Sequence, residues 1–165
     1  MAKQKSQKQE PVLRFAFLCY GVLMLYLLFI RGRHAVEGVP YLDQVKRNYN
    51  LIPLHTIGNY WHILTNKAHY LTKWSYEYYL QQVRHGVINL MGNVLMFIPL
   101  GYFIPRVWPK FRRFFRWLLL VMGLILAVEV LQLFTLLGSC DIDDLILNIP
   151  GAALGYLIWK LRKKK

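Results

Sequence analysis

The chain has 165 residues, of which 56% are hydrophobic and 15% aromatic, while only 18% are charged. That is room for one domain, and too apolar for an ordinary soluble one. The net charge of +13 does not indicate nucleic acid, because Lys and Arg gather beside apolar runs, at Lys3–Arg14, Arg106–Arg116 and Lys160–Lys165, and no nucleic-acid recognition motif accompanies them.

Basic clusters in such positions suit an anionic membrane face, and the predicted elements follow that reading. Residues 1–10, rich in Lys and Gln, are expected to form a disordered cytoplasmic tail. Residues 11–160 are read as a single all-α membrane domain with four spans. The first span covers about 12–30, centred on the apolar run Phe15–Ile30. A signal peptide shares its charge order, but "RGRHAVEG" follows without a clear small-residue cleavage site, so an uncleaved anchor is expected. A long loop over 31–86 comes next, holding Tyr41, Tyr49, Tyr60, Trp61, Tyr70, Trp74, Tyr76, Tyr78 and Tyr79. Aromatics with polar tips favour the headgroup level, and a helix lying in the interface is expected over Asn66–Val83. The second span covers about 87–104, the third 117–137 and the fourth 142–159, each near the ~20 residues that a crossing needs. A basic cytoplasmic tail, 161–165, closes the chain.

Orientation follows from the short segments. The N-terminal arm carries four Lys and Arg, the segment Pro105–Arg116 five, the stretch from Lys160 five, and the turn Gly138–Cys140 none. Four spans with both termini in the cytoplasm satisfy all of these counts. The 31–86 loop has seven spread over fifty-six residues, which places it outside.

The polar residues then fall in the outer half of the bilayer. At about 1.5 Å rise per residue, Asn89 lies just below the outer surface and Asn93 about 9 Å down, with Gln132 about 8 Å and Glu129 about 12 Å down. Asn148 lies about 6 Å below Asp144. They also share faces: Asn89, Asn93 and Met96 on the second span, Glu129 and Gln132 on the third, Asp141, Asp144 and Asn148 on the fourth. Gly151 and Gly155, on the Asn148 stripe, admit a close neighbour. A charge near a helix centre costs about 2.5–3.5 kcal/mol on insertion scales, so these groups are expected to bond to one another around a small cavity open outward. Pro99, followed by Gly101, is expected to kink the second span, chiefly shaping its packing, with carbonyls freed near Leu95–Met96 toward the same interior as the alternative.

Cys19 and Cys140 form no disulfide framework or ligand spacing. No metal or other cofactor is expected. Asp141, Asp144, Asn148 and Glu129 carry the oxygen ligands Mg²⁺ takes, but no familiar diphosphate–metal motif joins them.

Several segments resemble the VanZ-like family of bacterial membrane proteins: "NLIPLHTIGNY" (Asn50–Tyr60), "NLMGNVLMFIPLGYFIP" (Asn89–Pro105), "EVLQLF" from Glu129, and "DIDDLILNIPGAALGY" (Asp141–Tyr156). They follow the family's order over about two-thirds of the chain. Leu54 replaces the usual Phe of the first motif, and Gly138-Ser139 stands where many members carry an arginine. If that arginine is a counter-ion, its place is taken here by Arg84 or His85, or left empty. The resemblance implies a multi-pass protein of the bacterial cell membrane, in a family named for a resistance factor against teicoplanin.

Two functions follow. In the first, the polar site binds a lipid head group, a lipid-linked cell-wall precursor or a lipoglycopeptide, making the protein an accessory of the cell envelope with membrane lipids as partners and no nucleic acid. In the second, an intramembrane enzyme modifies a lipid or lipid-linked precursor, with buried acids and His85 doing acid–base work. No nucleophile arrangement assigns catalytic residues, and the inner halves of the spans offer little polarity for ion transport.

Overall fold

The computed structural model describes residues 2–30 and 36–163. Residue 1, residues 31–35 of the expected outer loop and residues 164–165 of the basic tail lie outside them. The first helix, α1, runs over Ala2–Leu25 and ends in a π turn at Tyr26–Ile30. It begins within the segment read from the sequence as a disordered tail. Three short helices follow, α2 (Tyr41–Arg47), α3 (His55–Thr65) and α4 (Lys67–Leu71). Then come the long helices α5 (Tyr76–Val107), α6 (Phe114–Thr135) and α7 (Ile142–Lys163). Helices α1, α5, α6 and α7 are long and apolar enough to cross a membrane, so the chain is an all-α bundle of four spans.

The second span differs most from its sequence reading. Helix α5 begins at Tyr76, well before Val87, and its 32 residues reach about 48 Å, beyond the ~30 Å hydrocarbon core. Ser75 starts it by accepting a hydrogen bond from the Tyr78 N–H at 3.3 Å. Glu77, Gln81, Gln82 and Arg84 are good helix formers, so polarity ends the apolar run without ending the helix. The expected interfacial helix over Asn66–Val83 is thus divided between α4 and the first turns of α5. Its aromatics lean on one another: Tyr70 and Trp74 have centroids 4.4 Å apart, and Trp74 meets Tyr78 edge-on at 5.0 Å.

Helices α5 and α7 form the tightest pair, because three glycines remove the Cβ atoms between them. A Cβ on Gly101 would overlap the Ala152 carbonyl, one on Gly151 the Val94 carbonyl, and one on Gly155 the Ile98 carbonyl. Small residues allow this approach where lipid supplies no hydrophobic drive between helices. The apolar core, including Phe97, Leu100, Ile104, Trp117, Val121, Ile125, Ala152, Tyr156 and Trp159, fills the half of the bundle nearer the basic segments. Helix α1 packs there through Phe17 and Tyr20, whose rings stand 5.6 and 6.0 Å from Phe103.

Pro99 and Pro105 both lie within α5. The Met96 carbonyl, in the turn before Pro99, accepts from Tyr20 Oη at 2.6 Å. It serves contact with α1, in keeping with a kink that shapes packing, and not the alternative of a carbonyl facing the polar interior.

Candidate functional site

The acidic turn between α6 and α7 binds the segment "NLIPLHT". Backbone pairing begins the join. Tyr49–Asn50 (β1) and Cys140–Asp141 (β2) form a two-residue parallel ladder, with Tyr49 opposite Cys140 and Asn50 opposite Asp141. The Cys140 N–H donates to the Asn48 carbonyl at 3.0 Å, and Asn48 Nδ2 to the Gly138 carbonyl at 2.6 Å.

Side chains complete the join. Asp141 accepts from Asn50 Nδ2 (3.2 Å), Thr56 Oγ1 (2.5 Å) and the Asp143 N–H (2.9 Å). Asp143, fully buried, accepts from the Leu54 N–H at 2.5 Å and the Ile57 N–H at 2.9 Å. Its carboxylate therefore satisfies two of the free donors at the start of α3. Leu54 is left-handed there, with φ of 63°, a conformation unfavourable by roughly 1–2 kcal/mol for an L-residue. The two oxygens of Asp143 hold the backbone on either side of that turn.

Below the join the spans contribute their own polar groups. Glu129, buried on α6, accepts from the Asp141 N–H at 3.0 Å. Asn93 of α5 donates through Nδ2 to Asp144 Oδ1 on α7. Asn148, one turn deeper on α7, is 2% exposed and its Oδ1 has no hydrogen-bond partner among the described residues. Asn89 Oδ1 on α5 is also buried and unpartnered. Burial and the nearby Glu129, Asp141 and Asp144 carboxylates push the Cys140 thiol above the usual cysteine range.

The expected site residues thus divide. Asn93 and Asp144 bond to each other, and Glu129 and Asp141 are linked through the turn's backbone. Gln132 turns away: its Nε2 donates to the Leu28 carbonyl at 2.9 Å and its side chain packs on Gly138, so it braces the end of α1. Arg84 and His85 are exposed and make no ion pair among the described residues, which leaves the counter-ion position unfilled. Among the described residues no three of His, Cys, Asp and Glu are grouped to hold a metal ion.

The Asn50–Ile57 segment lies on the acidic turn, where the carboxylates of Asp141 and Asp143 find donors. Asn50, Thr56 and above all Asp143 were not among the site residues read from the sequence. The helix-face spacing did not mark them, but other signals were present: Asp143 is an acid in the first turn of α7, and Asn50 and Thr56 lie inside the first quoted motif.

A family model described as VanZ/LLP1 matches residues 17–163. No curated protein and no solved structure matches the chain.

Proposed function

Because the chain belongs to the VanZ/LLP1 family, we propose that it is a multi-pass protein of the bacterial cell membrane that contributes to resistance against lipoglycopeptides such as teicoplanin. In this reading the polar site faces outward, both termini are cytoplasmic, and the site receives a lipid head group or the polar part of a lipid-tailed ligand. The observation that carries it is the convergence of Asn93, Glu129, Asp144 and Asn148 from three spans, with the amide oxygens of Asn148 and Asn89 left without a hydrogen-bond partner among the described residues. Buried polar groups without partners are uncommon, and polar groups inside a membrane mark functional sites.

The chemistry selects the ligand. Carboxyl groups and amide oxygens offer acceptors, so the fitting partner brings N–H or O–H donors, as an amine-bearing head group or a glycosylated peptide does. Entry requires the Asn50–Ile57 segment to lift, which exchanges its hydrogen bonds to Asp141 and Asp143 for others.

The test is binding of fluorescently labelled teicoplanin to the full chain in lipid vesicles. Glu129→Gln and Asp144→Asn are expected to weaken binding by about tenfold each, the equivalent of about 1.4 kcal/mol. Affinity unchanged by both substitutions would sink the proposal. Chemical conversion of an envelope lipid by the same vesicles would replace binding with catalysis.

A further inference from the structure

Along α1, from Arg14 toward Leu28, a gap separates part of the helix from α5 and α6. The gap is a groove of about 730 Å³, walled by Phe17, Leu18, Gly21 and Leu25 on one side and by Phe97, Leu100, Leu124 and Val128 on the other. That volume is within the ~300–1,000 Å³ of ordinary ligand clefts. Its lining is apolar throughout except at one end, where Arg14 sits beside Val107 and Trp108. A Cβ placed on Gly21 meets no atom within 4 Å, so the gap reaches the backbone of α1.

Three features identify an occupant. First, the groove follows α1 from Arg14 to Leu28, a rise of about 21 Å, which is more than one leaflet of a ~30 Å hydrocarbon core. It therefore runs along the spans and has the proportions of one extended chain. Second, its wall offers no polar partner along that length, which suits hydrocarbon. Third, the charge at the mouth is positive. Trp108 meets Phe17 edge-on at 5.4 Å, which brings the basic segment Arg106–Arg116 to the Arg14 end of α1. Arg14 has a partner within the chain, but a guanidinium carries five N–H donors and can serve a phosphate oxygen as well, and basic pockets at this level between spans suit anionic lipid head groups.

We propose that this groove is a binding site for one acyl chain of an anionic phospholipid, whose phosphate lies at Arg14. The site is distinct from the polar cluster under the Asn50–Ile57 segment, and it stands whether or not that cluster binds a lipoglycopeptide. The bound chain fills the space between α1 and the α5–α6 pair and joins the loosest span to the rest of the bundle.

The experiment places the full chain in vesicles doped with phosphatidylglycerol carrying a photoactivatable group in its acyl chain, with the phosphatidylcholine equivalent as comparison. Crosslinks are mapped by peptide mass spectrometry. Crosslinks concentrated on α1 residues 17–25 and on Phe97–Leu100, stronger for phosphatidylglycerol, are expected. Gly21→Phe, which fills open space, is expected to cut them about tenfold. Leu18→Trp, nearer the mouth, gives a second blocked groove should Gly21→Phe not fold. Arg14→Gln is expected to erase the preference for phosphatidylglycerol, whereas Lys160→Gln, which removes a charge at the same end outside the groove, leaves it intact. Crosslinks spread evenly over the lipid-facing sides of all four spans, or undiminished in both blocked variants, would overturn the site. Equal loss of preference in Arg14→Gln and Lys160→Gln would overturn the phosphate position.

Discussion

Asp143 is the residue on which the site's closure most depends. It is a buried carboxylate that makes no ion pair among the described residues, and both its oxygens serve backbone N–H groups 86 and 89 residues away in sequence. Asp143→Ala leaves both donors unsatisfied and is expected to destabilise the folded protein by about 2–3 kcal/mol. Thermal unfolding in detergent reads the loss, and amide exchange at Leu54 and Ile57 locates it. Exchange there as slow as in the parent chain would show that the N–H groups have another acceptor. Cys140 reports on the same neighbourhood. Its raised pKa means that less thiolate is present at neutral pH than for a free cysteine. In a Cys19→Ser background, alkylation of Cys140 is expected to be slow at pH 7 and to climb through pH values above about 8.5, the ordinary thiol range.

At the scale of elements, the α5–α7 contact organises the bundle. Gly155 faces the backbone of α5, and a carbonyl cannot move aside as a side chain can. Gly155→Leu is therefore expected to cost about 3 kcal/mol or more, toward the upper end for overpacking, and to lower the unfolding temperature in detergent. Gly92→Ala in α5 is the contrasting case. Its added Cβ meets nothing within 4 Å, and a helical Gly→Ala change stabilises by about 0.5–1 kcal/mol. Equal destabilisation by the two substitutions would refute close packing as the reason for Gly155. The loop elements behave differently, since their anchors are polar and few. Tyr41 Oη reaches the Phe134 carbonyl at 2.7 Å, and Tyr79 Oη the Ile63 carbonyl at 3.3 Å. These contacts lay α2–α4 over the ends of the spans and leave the Asn50–Ile57 segment held chiefly by Asp141 and Asp143.

At the scale of the whole molecule, charge and polarity separate. Arg106, Arg112 and Lys160 lie at the end where Tyr156 Oη donates to the Arg112 carbonyl at 2.8 Å, and the carboxylates of Glu129, Asp141, Asp143 and Asp144 lie toward the other. A membrane with an anionic cytoplasmic face is expected to orient such a bundle with the basic end inward. Single cysteines introduced at Lys110 and at Trp61, in a chain freed of its own two, test this in intact cells. A membrane-impermeant maleimide is expected to label the Trp61 position and spare the Lys110 position, and the reverse pattern would invert the proposed topology.

Hydropathy along the chain determined the number of spans, because crossing a bilayer needs a long apolar stretch and little else. The glycine and asparagine spacing on α7 likewise marked a face for close packing, since helical periodicity is local. The start of α5 was not legible in the same way: loss of hydrophobicity marks where a helix leaves the hydrocarbon, not where its hydrogen bonds end. Nor was the closing of the site. Asn50 and Asp141 meet across 91 residues, and the partners of Asp143 are backbone groups that any sequence would carry. Which donors a buried carboxylate finds depends on how the chain returns in space. Tertiary structure alone therefore decided that the acidic turn is covered, that Gln132 serves α1, and that Arg84 and His85 stand apart.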